Sequence, residues 1–294
     1  MQQAPAGTAP NREIVHGPTR SALQTSTTAL GALLLRDVVV LRKNLGSFAL
    51  RTVIQPFLLC FVFLYVFPKI GQSVGGAGGR AAEIDFDTVL VAGVVGISIM
   101  FQGVQSVALQ MSQEFGFTRE IEDRVQAPCP IWLVAFEKVL SGSIQGLISA
   151  CLVLPIASVV HASGVHADLS FHWLVILTVV PLSCVAMSSL GLVLGTSFEP
   201  RNIGLMFGFV VLPITFLGGT YYQWTRLAPV EVGRFHWLQV IVLINPLIYV
   251  NEGMRAAFTT VPHMHLYIIY PVLVAFCAGF SALGLRNFKR RVLS

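Results

Sequence analysis

The stretch FALRTVIQPFLLCFVFLYVF, Phe48 to Phe67, runs twenty residues with one charge, Arg51, a turn inside its start. About 20 apolar residues rising 1.5 Å each cross the ~30 Å hydrocarbon core of a bilayer. Arg51 sits close enough to the end for its guanidinium to snorkel to the headgroups. Five more apolar blocks follow: Thr88 to Met111, Leu133 to Val160, Trp173 to Phe198, Ile203 to Tyr222 and Leu266 to Leu285. Mean hydropathy is +0.73, and charged residues are only 11% of the chain. The ~10-residue polar/apolar alternation of barrel strands is missing, so helices must satisfy the backbone in lipid. The expected fold is an all-α membrane protein with six transmembrane helices.

Between these blocks the chain changes character. LGALLLRDVVVLRKN (Leu30 to Asn44) mixes apolar residues with Arg36, Asp37, Arg42 and Lys43, which suits a helix lying in the membrane interface. Residues 1–29 lack an apolar signal-peptide core and read as a disordered cytoplasmic tail; residues 30–294 read as one six-span membrane domain. Six spans put both termini on one side. With those termini inside, the inner segments hold 14 of the 19 Lys and Arg, so the positive-inside rule places both termini in the cytoplasm. The pI of 9.1 follows from that asymmetry and needs no nucleic-acid partner. Four of the five cysteines lie inside apolar blocks and are expected as packing residues.

The same topology makes QEFGFTREIEDRVQAPCP (Gln113 to Pro130) cytoplasmic. Its four acids and two arginines give −2, against the basic trend of the other inner segments. Mixed charge with aromatic neighbours fits a docking surface better than a plain topology signal. No nucleotide-binding, zinc-protease or nucleophile-elbow motif occurs in the chain. LSGSIQG (Leu140 to Gly146) starts a span, where its small residues permit close helix packing. The span centres are nearly free of the ionisable residues that ion-coupled transporters carry. The chain then has no evident energy source of its own, and the charged inner loop is a candidate docking surface for a partner that supplies one. The histidines His161, His166 and His172, with Asp168, have no familiar metal spacing and are expected to be solvated.

After the fifth block, WLQVIVLINPLIYV is too short to cross and is interrupted by Asn245-Pro246, which suits re-entrant or interfacial helices at the outer face. Asn245 is placed to satisfy backbone groups freed where Pro246 lacks a donor. Glu252 and Arg255 are spaced i, i+3, within reach of each other on one helical face.

Taken together, these features resemble the membrane subunit of type-2 ATP-binding-cassette (ABC) exporters, the nodulation-factor, polysaccharide and antibiotic export permeases. The resemblance rests on the six-span topology behind an interfacial helix, and on the inner loop with Glu114, TREIEDR, Pro128/Pro130 and Lys138. It rests also on LPITFLGGTYYQW (Leu212 to Trp224) and INPLIYVNEGMRAAF (Ile244 to Phe258). It implies a cytoplasmic coupling helix that docks on a separate ABC ATPase through Glu114, Phe115, Phe117, Arg119, Glu120, Ile121, Glu122, Arg124 and Val125. It implies an outer gate comprising Tyr221, Tyr222, Asn245, Pro246, Tyr249, Glu252 and Arg255. No cofactor is expected in this chain, since ATP and Mg would sit on the ATPase. The expected assembly is two permease chains, as a homodimer, with two ATPase subunits in the plasma (inner) membrane, in contact with lipid. A charge-poor interior favours an amphipathic drug- or lipid-like cargo, with a lipid-linked glycan as the alternative. A membrane enzyme or scaffold is the alternative of a different class.

Overall fold

The computed structural model describes residues 22–70, 79–116, 130–160, 169–227 and 236–293. The described residues are helical, apart from turns and one isolated antiparallel bridge between Leu169 and Thr259. We number the helices α1 (Ala22–Lys43), α2 (Leu45–Lys69), α3 (Gly79–Gly116), α4 (Ile131–Val159), α5 (Trp173–Ser197), α6 (Pro200–Phe216), α7 (Trp237–Val242), α8 (Pro246–Phe258) and α9 (Leu266–Leu293). Five of them, α2, α3, α4, α5 and α9, contain stretches long and apolar enough to cross a membrane.

The sequence expectations shift at two places. Helix α1 begins at Ala22, so the last residues assigned to the N-terminal tail are helical. The fifth block, expected to run to Tyr222, ends as a helix at Phe216 and spans only 17 residues from Pro200. Its stop has a local cause. Gly218 and Gly219 follow after Leu217, and Gly219 takes φ +69°, a left-handed conformation that side chains with a Cβ disfavour.

Helices α2 and α6 each contain a π-helical turn, Phe61–Val66 and Phe207–Val211, and each turn lies just ahead of a proline, Pro68 or Pro213. A proline ring clashes with the carbonyl four residues earlier. Those carbonyls, of Leu64 and Phe209, fall inside the widened turns, which accommodate the ring.

Helix α3 is the axis of the bundle. In its most apolar window 94% of residues are buried, against 22% for α2 and 17% for α9, so α3 is central and the other two are peripheral. Helix α5 packs closely along it because Gly191 and Gly195, one turn apart, would drive a Cβ into the Val104 and Ala108 backbone. The outward surfaces of α5, α6 and α9 carry large apolar side chains such as Leu174, Phe209 and Tyr267, each more than 70% exposed. Water would penalise that surface, whereas acyl chains match it. Of the four cysteines expected in packing, Cys60 and Cys184 are buried and Cys277 partly so; Cys151 is exposed.

Candidate functional site

Two polar clusters lie along α3, one at its C-terminal end and the other beside its middle. Gly96, which touches one, and Glu114, which belongs to the other, are 18 residues apart, roughly 27 Å along the helix.

The first cluster surrounds the ends of the 117–129 connection. Lys138 lies two turns into α4 and is 1% exposed. Its Nζ is 2.9 Å from Glu114 Oε1 on α3, 3.7 Å from Glu137 Oε2 beside it, and 3.8 Å from Asp37 Oδ2 on α1. One ammonium thus ties three helices together at the root of the charged loop. Glu114, expected among the charges of a docking surface, is instead buried, with its side chain 9% exposed. Phe115 is also engaged inside the chain. Its ring meets Phe288 edge-on at 5.8 Å, and the Arg291 guanidinium lies 4.6 Å from its centroid. Arg291 in turn donates from Nη1 to the carbonyls of Phe198 (2.8 Å), Gly195 (3.2 Å) and Thr196 (3.3 Å), closing the C-terminal end of α5. Phe117, Arg119, Glu120, Ile121, Glu122, Arg124 and Val125 lie outside the described residues.

The second cluster is built on α8, every residue of which is buried. Asn245 caps it: Oδ1 accepts from Leu247 N–H at 2.9 Å, while Nδ2 donates to the Ile214 carbonyl of α6 at 2.7 Å. Pro246 occupies the first helical turn, where its missing N–H costs nothing. Glu252 and Arg255 pair at 2.9 Å, both side chains fully buried. Glu252 Oε1 also accepts from Trp224 N–H at 2.9 Å, and Oε2 from Met264 N–H at 2.8 Å. Arg255 Nη2 donates to the Gly219 carbonyl. Asn251 Nδ2 donates to the Gly218 carbonyl at 2.7 Å and to Thr220 Oγ1 at 3.2 Å. Gly96 of α3 admits this side chain, since a Cβ there would overlap the Asn251 amide. Helix α8 therefore sews the turn after α6 to the segment before α9. The strand-like contact before α5 joins them, through Ser170 and His172 N–H bonds of 2.9 Å to Phe258 and Ala257.

The aromatics expected around this end are anchored separately. Tyr221 packs on Phe63 of α2 at 5.3 Å. Tyr222 donates its hydroxyl to the Phe216 carbonyl at 3.3 Å. Tyr249 donates to Leu243 at 3.0 Å and packs against Phe276. Among the loop group, His161, His166 and Asp168 lie outside the described residues, and His172 precedes the first turn of α5.

Sequence reasoning missed Asn251 and Arg291 as structural polar residues. Asn251 falls six residues after Asn245 in a helix, and its burial depends on where α3 approaches. Arg291 had a faint signal, a cation near a helix C-terminus.

A bundle of long apolar helices, with a charged connection at one end and a buried polar helix near the other, defines a multi-pass membrane protein. The family of ABC-2 type transporters matches residues 28–259, over three quarters of the chain, and the protein belongs to that family. It is similar to the inner membrane transport permease YadH of Escherichia coli K12, with 28% identity over 233 residues, covering 78% of this chain and 84% of YadH. The YadH of Shigella flexneri matches with the same identity and coverage.

Proposed function

We propose that this chain is the permease subunit of an ATP-driven exporter in the inner membrane, working with a separate ABC ATPase and a second copy of itself. Family membership across residues 28–259 is the observation that carries this reading. In it, six segments cross the bilayer, α6 with the turn that follows it being the fifth, and both termini are cytoplasmic. The 117–129 connection docks on the ATPase. ATP binding closes the ATPase pair, and the connection converts that closure into rocking of the helices. The Lys138 cluster supports the coupling step, because a push on the loop meets α1, α3 and α4 tied by one buried ammonium. At the other end, α8 and its neighbours close the export path, with the Glu252–Arg255 pair holding that closure together. The cargo is amphipathic, drug- or lipid-like.

Docked aromatic anchors outweigh exposed charge pairs in most interfaces. Phe117→Ala is therefore expected to reduce stimulation of the partner ATPase more than Glu122→Ala. Measured on the reconstituted complex, equal effects or the reverse order would refute the anchor assignment.

A further inference from the structure

A polar cavity cuts into the membrane-spanning helices at the end of the bundle that carries the charged connection. Its volume is about 280 Å³, near the lower end of small-molecule sites. Nine of its thirteen lining residues are polar, although they belong to α1, the α1–α2 junction and three apolar candidate spans. Helix α3 supplies Gln105, Gln110 and Gln113, and α4 supplies Gln145. At 100° per residue, Gln102, Gln105, Gln110 and Gln113 fall within about 140° of arc, a glutamine stripe along one face of α3. The stripe extends beyond the cavity into a buried chain, with Thr52 Oγ1 donating to Gln102 Oε1 (3.2 Å) and Gln102 Nε2 to Gln145 Oε1 (3.3 Å).

Depth makes this lining unusual. Gln105 lies eleven residues before Gly116 and Gln145 fourteen after Ile131, roughly 16 and 21 Å into their helices. Amides that deep in lipid are costly and imply a polar occupant. Packing alone would be served better by Leu or Met.

From this lining we infer that the cavity binds the headgroup of an amphiphile whose headgroup combines a phosphate with free hydroxyls. Carboxamides and serine hydroxyls both donate and accept, which matches hydroxyls. Arg51 supplies a guanidinium for the phosphate. Asp37 lines the same cavity, 3.8 Å from Lys138, and its negative charge disfavours a second phosphate. Phe48 is the single aromatic in the lining, too little for a stacked planar drug. The volume suits a headgroup, with the acyl chains left outside in the bilayer. This inference takes the membrane placement of α2, α3 and α4 from the reading above, and it favours a phospholipid- or glycolipid-like cargo within it.

The test uses the full chain in detergent, with phosphatidylglycerol as probe and phosphatidylmethanol, an anion of the same charge without headgroup hydroxyls, as the comparison, read by native mass spectrometry. Wild-type protein is expected to retain phosphatidylglycerol in preference to phosphatidylmethanol. Gln105→Leu is expected to weaken that retention about tenfold, and Gln105→Asn, which keeps the amide, to weaken it less. Gln110→Leu gives a second reading if Gln105→Leu does not fold. Equal retention of both lipids, or leucine variants that bind like wild type, would overturn the proposal. Soluble glycerol phosphate competing as well as the lipid would also overturn it, because the site would then serve a free anion. Reconstitution with the ATPase separates the sources: a bound cargo stimulates ATP hydrolysis, and a resident lipid does not. Lipid retention is read without the ATPase, so it stands or falls independently of the exporter assignment.

Discussion

Lys138→Ala is expected to abolish recovery of folded protein, or to lower its stability by about 3–5 kcal/mol, the usual cost of breaking a buried ion pair from one side. The ammonium is 1% exposed and shared by Glu114, Glu137 and Asp37, so its removal leaves three carboxylates facing one another in a low-dielectric site. Glu114→Gln is expected to cost much less, because an amide still accepts at 2.9 Å and two carboxylates remain near the lysine. Replacing both partners, Lys138→Met with Glu114→Leu, is expected to recover part of the loss, since apolar residues of similar volume need no counter-charge. Thermal unfolding of detergent-solubilised variants measures all three. A Lys138→Ala protein as stable as wild type would mean that the cluster is hydrated and does not tie α1, α3 and α4 together.

Glu252→Ala is the second large effect. That carboxylate, itself fully buried, receives three donors, the Arg255 guanidinium and the N–H groups of Trp224 and Met264. Alanine would strand all three, a loss of at least about 3 kcal/mol. The damage should spread to the turn after α6 and the segment before α9, because both reach α8 through Glu252. Hydrogen exchange is the discriminating measurement. Backbone amides around Trp224 and Met264 should lose protection in Glu252→Ala before those of α3 or α5 do. Glu252→Gln keeps an acceptor for one or two of the donors and should retain most of that protection. Uniform loss of protection across the bundle would contradict the view that Glu252 is a local fastener.

The helices of this fold were legible because each spanning segment must be long and apolar regardless of its neighbours. Thr88 to Met111 and Leu266 to Leu285 sit inside α3 and α9 for that reason. The Asn245-Pro246 cap and the Glu252–Arg255 pair were legible too, since both depend on spacing within one short helix. What sequence alone obscured was burial. Nothing local distinguishes α8, buried on every side, from a surface-lying amphipathic helix, because its neighbours come from α3, α5 and α9. Glu114 and Lys138 are 24 positions apart and meet only when α3 and α4 pack side by side. Glu114 therefore read as a loop charge. The glutamine stripe of α3 has a visible helical period, but polar residues in an apolar block are easily taken for dilution until a cavity gives them a common surface.

In the proposed function the chain meets a partner ATPase through the 117–129 connection and not through the end built on α8. Site-specific cross-linking in native membranes tests it, with the five native cysteines, Cys129 of the connection among them, replaced by alanine, a single reactive cysteine introduced by Ile121→Cys or by Tyr222→Cys, and a partner ATPase subunit co-expressed. The account predicts an ATPase adduct from position 121, modulated by nucleotide, and none from position 222. An adduct from position 222, or none from position 121 in a folded, membrane-inserted protein, would contradict it.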